Sequence, residues 1–198
     1  MAKIFVLIGK SGSGKDSFFE ELINDGSLNL NKIVGYTTRP KRVHEENGRE
    51  YFFIDEDELG RLRRDSMIIE ERCYHTVHGD WYYLTVKDEE IKKALKESND
   101  YLYIGTIESF RQMKEYYGNE TVVPLYIEVE DGIRLERALI RERKQENPKY
   151  AEMCRRFLAD CSDFSEEKIE EAGISKRFDN SGSKESCLKE LREYIRMN

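Results

Sequence analysis

Ile4-Phe5-Val6-Leu7-Ile8-Gly9-Lys10-Ser11-Gly12-Ser13-Gly14-Lys15-Asp16-Ser17-Phe18-Phe19 is the stretch on which the fold turns. Its first five residues are apolar and favour β structure without a polar interruption, as expected of a strand covered on both faces of a parallel sheet. A Gly/Ser loop follows, and then Phe18, Phe19, Leu22 and Ile23 recur at helical spacing until Asp25-Gly26. The reading is strand, loop, helix. Within it, Gly9 to Asp16 fits G-x-x-x-x-G-K-[ST] at every position but the last. Glycines at those places let the chain curl so that successive N–H groups point at phosphate oxygens, and the following helix adds the positive end of its dipole. Gly9, Ser11, Gly12, Ser13, Gly14, Lys15, Asp16 and Ser17 are therefore the candidate phosphate-binding run. Lys15 would bridge the β- and γ-phosphates of an ATP-type donor.

The last motif position normally carries a hydroxyl on Mg2+, and here it is Asp16. A carboxylate beside a polyanion costs electrostatic energy unless it faces a hard divalent cation, which prefers anionic oxygens. Asp16 is thus the candidate metal residue, with Mg2+ the expected cofactor alongside ATP. Ser17 is adjacent, but on a helix its side chain points elsewhere, and the hydroxyl role is not simply moved to it.

Outward from this unit, Tyr101 to Ile104 and Val122 to Val129 repeat the short apolar strand signature between charged helical stretches, which predicts an α/β core. Gly35-Tyr36-Thr37-Thr38, Tyr51-Phe52-Phe53-Ile54, Met67-Ile68-Ile69 and Trp81-Tyr82-Tyr83-Leu84 read as short strands between polar turns. Ile133 to Ser162 reads as two basic helices joined at Asn147-Pro148, and Leu188, Leu191 and Ile195 line a final helix. The expected organisation is one domain over 1–198. Its P-loop NTPase-like parallel sheet, flanked by helices, is built from 1–34 and 89–198, with a β-rich insertion at 35–88 and a helical lid at about 141–156.

Composition narrows the partners. The 198 residues carry a net charge of −7, so an anionic substrate needs local Lys and Arg against the overall field, and nucleic acid is not expected. Ile4 to Ile8 is too short for a signal core or a membrane span; a cytoplasmic protein with no membrane partner is the expectation. The four cysteines, Cys73, Cys154, Cys161 and Cys187, lack metal or redox spacing and read as reduced thiols, with Cys154 and Cys161 on one buried helix face. His75 and His78, three apart in a β-rich segment, should point to opposite faces, which argues against a metal site. The oligomeric state is left open.

A second dense cluster is Thr37-Thr38-Arg39-Pro40-Lys41-Arg42, then Glu45, Gly48, Tyr51 and Phe53. The T-T-R-x-x-R, E-x-x-G-x-x-Y-x-F pattern resembles the nucleotide monophosphate-binding region of guanylate kinases, and the likeness extends over nearly the whole chain. It implies that Thr38, Arg39, Arg42 and Tyr51 bind the acceptor phosphate of GMP, where forked guanidinium donors and a phenol suit the chemistry. It further implies that Glu70 reads the guanine N–H edge, with Glu71 the alternative register, and that Tyr82 follows a turn at Gly79-Asp80. Arg137 and Arg141, four apart on one helical face, resemble arginines that reach the donor phosphates on lid closure and count with Lys15 and Arg39 as catalytic candidates. Asn180 resembles the adenine-contacting end of the family.

The departures are specific. Gly35 stands where a small hydroxyl residue is usual, and the strand that ends in an Asp-x-Asp-like sequence reads Ile104-Gly105-Thr106, with Glu108 nearby. The Lys15-Asp16-Ser17 form and the missing acidic pair are similar to ribose 1,5-bisphosphate kinases. ATP-dependent phosphorylation of GMP is the expected activity. The rival readings are a P-loop kinase for another phosphorylated metabolite and a non-catalytic nucleotide- or partner-binding protein of the same shape.

Overall fold

The structure, a computed structural model, describes residues 2–76 and 79–198. In chain order the strands are β1 (Ile4–Ile8), β2 (Asn31–Lys32), β3 (Tyr36–Thr37), β4 (Phe52–Phe53), β5 (Ile68–Thr76), β6 (Gly79–Val86), β7 (Tyr101–Gly105), β8 (Val122–Glu128) and β9 (Arg177–Asp179). The helices are α1 (Lys15–Ile23), α2 (Glu56–Arg64), α3 (Glu89–Lys96), α4 (Ile107–Tyr117), α5 (Asp131–Arg143), α6 (Tyr150–Asp163), α7 (Glu166–Glu171) and α8 (Lys184–Met197).

The main sheet has the order β2-β7-β1-β8-β9 and every pairing in it is parallel. All five residues of β1 are buried, and strand alternation divides them between two cores. Ile4, Val6 and Ile8 join Ile107, Phe110 and Met113 of α4 and Ile169 of α7 on one face. Phe5 and Leu7 join Phe18 and Leu22 of α1 and Leu188, Leu191 and Ile195 of α8 on the other. Full burial of side chains of this size is worth roughly 1.5–3 kcal/mol each, so the strand that leads into the loop is the best-anchored piece of the chain. Gly105 closes β7 because a Cβ there would lie 2.5 Å from Ser109 Oγ and 2.8 Å from Val6 Cγ1.

The second sheet, β4-β3-β6-β5, is mixed and spans Tyr36 to Val86. Its small core is Leu59, Leu62 and Leu84. Two of those three come from α2, a helix in a stretch expected to be β-rich. Asp55 caps it by accepting from Glu58 N at 2.8 Å, and only Leu59 and Leu62 are buried in an otherwise charged segment. With so few apolar positions, its periodicity is hidden beneath charge.

The predicted break at Asn147-Pro148 falls between α5 and α6. One expectation fails here: Cys154 is exposed and Cys161 only half-buried. Helix α6 has no fully buried residue, because it packs on α5 above the loop instead of against the sheet. All four cysteines are free. No helix among the described residues is long and apolar enough to cross a membrane.

Candidate active site

The loops that follow β1, β7 and β8 open at the same end of the parallel sheet, where ligands of open α/β sheets bind. After β1 the chain turns through Gly12 and Gly14, both at positive φ, and Gly14 N-caps α1 with no side-chain hydrogen bond. A Cβ on Gly14 would stand 2.9 Å from Asn180 Nδ2. The turn therefore needs glycine twice over, for its left-handed backbone and for this close approach. Lys15 projects from the first turn, and its Nζ makes no hydrogen bond or ion pair among the described residues. Burial lowers the pKa of its ammonium, while Asp16 and Asp160 pull it back up and Arg156 and Arg141 lower it further.

Side chains from distant elements brace the loop. Asn180 Nδ2 donates to Ser13 O at 2.8 Å, and Arg137 Nη2 donates to Asn180 O at 2.9 Å. Arg134, fully buried, donates to Ser11 O at 3.0 Å, stacks on Phe157 at 4.3 Å and pairs with Asp131 and Asp160. Asp160 Oδ2 in turn accepts the loop amide Ser11 N at 2.8 Å. A carboxylate of α6 thus occupies one of the amides expected to meet phosphate. Asn180 is spent on the loop backbone, which differs from the adenine contact implied by resemblance; its place directly after β9 buries it against Ser13. The Ser17 hydroxyl accepts from Lys184 Nζ of α8 at 2.6 Å, on the flank of α1, so it too is engaged outside the loop. Arg141 and Arg156 are exposed, yet both lie close enough to Lys15 to depress its pKa.

The acceptor cluster lies on the second sheet. Thr38 Oγ1 accepts from Tyr82 N at 2.9 Å and Thr37 Oγ1 donates to Tyr82 O at 2.8 Å, which stitches the T-T-R segment to β6. Arg39, 4% exposed, gives both terminal nitrogens to Glu45, at 2.9 and 2.8 Å, and one of them also to Pro40 O. Its guanidinium also lies 5.7 Å from the Tyr51 ring and 5.5 Å from Phe53. The Glu45 carboxyl is held below its ordinary value chiefly by the Arg39 hydrogen bond. Arg42 is exposed and its side chain makes no hydrogen bond among the described residues. Tyr51 is pushed up to about 12, first by burial.

Register decides which tyrosine of β6 faces this cluster. Glu70 pairs across the hairpin with Thr85, Arg72 with Tyr83 and Tyr74 with Trp81, so these six share one face. Tyr83 packs 5.6 Å from Tyr51, whose ring in turn lies 5.7 Å from the Arg39 guanidinium. Tyr82 points the other way, beneath Arg63 at 4.7 Å. On this register Tyr83, and not the expected Tyr82, lies on the face of Glu70 and Arg72. Glu70 is 1% exposed, with Thr85 Oγ1 3.4 Å away, and Thr85 meets Tyr103 of β7 at 2.8 Å. Glu71 instead pairs with Arg63 on the outer face. Burial raises the Glu70 pKa, Arg72 lowers it, and Glu108 pushes it further up. Thr106, in place of an acid, caps α4 in a capping box with Ser109.

For a divalent cation the structure offers Asp16, exposed at the first turn of α1 and taking no hydrogen bond or ion pair among the described residues. A free anionic oxygen beside Lys15 fits Mg2+ chemistry. A second group, Cys73, His75 and Asp80, has ligand atoms within 4.8 Å of one another on the exposed outer face of the hairpin. Cross-strand register created it by bringing Asp80 opposite His75. His78 lies outside the described residues.

Comparison with known proteins agrees with this architecture. A family model described as guanylate kinase matches residues 1–178. A guanylate kinase of Porphyromonas gingivalis is 33% identical over 122 residues, 62% of this chain and 63% of that protein. One of Bacteroides fragilis is 31% identical over 139 residues, 70% of this chain and 65% of that protein. The chain thus spans somewhat less than two thirds of the length of these relatives. The crystal structure of guanylate kinase from Anaplasma phagocytophilum superimposes with a TM-score of 0.63 at 21% identity, covering 99% of this chain and 85% of that one.

Proposed function

Since this chain belongs to the guanylate kinase family, we propose that it transfers the γ-phosphoryl group of ATP to the phosphate of GMP, giving ADP and GDP. The observation that carries this reading is the pairing of two phosphate-type sites on one frame. The glycine loop with Lys15 follows β1, and the Arg39, Tyr51 and Tyr83 cluster is tied to neighbouring β7 through Thr85 and Tyr103. In this reading the loop amides and Lys15 hold the donor phosphates, and Arg39, Arg42, Tyr51 and Tyr83 hold the acceptor phosphate. Arg137 keeps Asn180 and hence the loop in place, and Arg141 with Arg156 brings positive charge over the transferring group as the lid closes. Asp16 is the residue that would hold Mg2+, which when bound neutralises charge on the donor phosphates. The acceptor oxygen is already anionic and needs no base. Closure excludes water, the competing acceptor.

A coupled ADP-release assay with ATP, Mg2+ and GMP, dGMP, AMP, UMP, CMP or ribose 1,5-bisphosphate tests the reading, with Lys15→Ala as control. GMP-dependent turnover lost in the control is expected. Turnover with a different acceptor would retain the kinase and replace GMP, an outcome kept in the panel because Ile104 and Thr106 stand where acids are usual. Silence with every acceptor would replace catalysis by binding.

A further inference from the structure

The least explained charge in the acceptor face is Arg72. It lies between Glu70 and Tyr74 on the same side of β5, with Tyr83 directly across the hairpin. Its side chain is 23% exposed, and its Nε is paired with Glu70 Oε1, a carboxylate with no exposure at all. Besides Glu70, the groups around it are the phenols of Tyr103, Tyr74 and Tyr51. Its terminal N–H groups make no hydrogen bond among the described residues, although a guanidinium has five donors in a planar fork. Its terminal nitrogens are not among the buried polar atoms that lack a partner, so the end of the fork is open to solvent and to an incoming ligand. Among the described residues Glu70 is the one carboxylate paired with it, and β7 ends in Ile104-Gly105 with Thr106 turned into the α4 cap.

We infer that Arg72 reads the carbonyl edge of the acceptor base, so that Glu70 and Arg72 together form one two-sided base reader. This rests on the GMP reading above. The two side chains are complementary to guanine as a pair. A carboxylate accepts the base N–H groups, and an adjacent guanidinium donates to the exocyclic carbonyl oxygen and the neighbouring ring nitrogen, the commonest forked contact of arginine with guanine. Adenine presents an amino donor where guanine has that carbonyl, so it would meet donor with donor. Such a reader compensates for Gly35, which has no hydroxyl, and for the missing acidic pair. Because Glu70 holds Arg72 by its Nε, the end of the fork is left for the ligand.

The test measures kcat and KM for GMP, for inosine monophosphate, which keeps the carbonyl edge but lacks the amino group, and for AMP. Arg72→Met should raise KM for GMP and inosine monophosphate alike, by roughly 5- to 100-fold, the worth of one forked contact to a base. Their ratio and kcat should hold nearly constant while the preference over AMP shrinks. Glu70→Gln should instead penalise GMP more than inosine monophosphate. Arg72→Lys keeps a charge beside Glu70 and loses the fork, so it should fold and still lose GMP affinity even if the methionine variant does not fold. An unchanged GMP KM in Arg72→Lys, or a loss confined to kcat, would overturn the role of Arg72 while wild-type turnover of GMP left the kinase reading intact. Wild-type enzyme that ignores GMP and phosphorylates another acceptor would remove the premise itself.

Discussion

The proposed donor and acceptor halves of this molecule are built by different means. The donor loop is built from backbone: its geometry comes from Gly12 and Gly14, its strength from the buried strand β1, and its braces, Asn180, Arg134 and Arg137, grip peptide oxygens. The acceptor face is built from side chains, with two enclosed ion pairs, Arg39–Glu45 and Glu70–Arg72, set among tyrosines. A backbone site tolerates side-chain change but demands a particular turn. A side-chain site can change its ligand through one or two substitutions, and here it carries both the family's common residues and its departures.

The sharpest break between the halves is Lys15→Ala. Lys15 has no hydrogen-bonded partner among the described residues to lose, so kcat should fall by roughly 10²–10³-fold or more, as for removal of a charge-stabilising donor. The thermal midpoint should barely move. A marked loss of stability would mean that Lys15 is structural and that the halves are less different than described.

Arg39→Ala should act on stability and activity together. Removal of one partner from an enclosed pair leaves the other charge uncompensated, at a cost of roughly 3–5 kcal/mol when fully buried and less here because Glu45 is 14% exposed. Urea unfolding should report that loss, and the acceptor KM should rise with it. The pH dependence follows from the depressed Glu45 carboxyl. Its contribution is fully present above the ordinary value near 4.5 and fades as the pH drops through the lowered one. Glu45→Gln should therefore remove part of the acid-side loss of stability; an unaltered acid limb would show that the pair contributes little.

The same contrast explains what could be read from the chain. The strand, loop and helix around Lys15 are local in sequence, so spacing alone located them. The T-T-R-x-x-R stretch was legible through its resemblance to a family pattern, because its residues are close in the chain. Tyr83 faces Glu70 and Arg72 where the sequence reading names Tyr82, because the face of a strand is a matter of parity, which is fixed only by the pairing across the hairpin. Arg72 and Asp160 carried no motif at all. Their importance comes from how the fold places them, Arg72 beside buried Glu70 and across the hairpin from Tyr83, and Asp160 on Ser11, 149 positions away. Helix α2 went unseen because two leucines in nine residues give too weak a pattern beneath the charge.

The smallest expected effect probes the one place where a side chain intrudes on the backbone site. Asp160 takes the Ser11 amide and lies near Lys15, so an incoming phosphate must displace a carboxylate and also approach its charge. Asn at this position keeps the shape and one acceptor oxygen but removes the charge. At an effective dielectric constant of about 20, relief of repulsion over several ångströms is worth on the order of 1–2 kcal/mol, less what is lost with Arg134. Asp160→Asn should therefore tighten ATP binding by roughly 3- to 10-fold with the GMP KM unchanged, read by calorimetric titration and steady-state kinetics. Unchanged ATP affinity would show that Asp160 stays on Ser11 while the donor is bound. The loop would then present one amide fewer than its sequence promises, and the donor half would depend on a side chain after all.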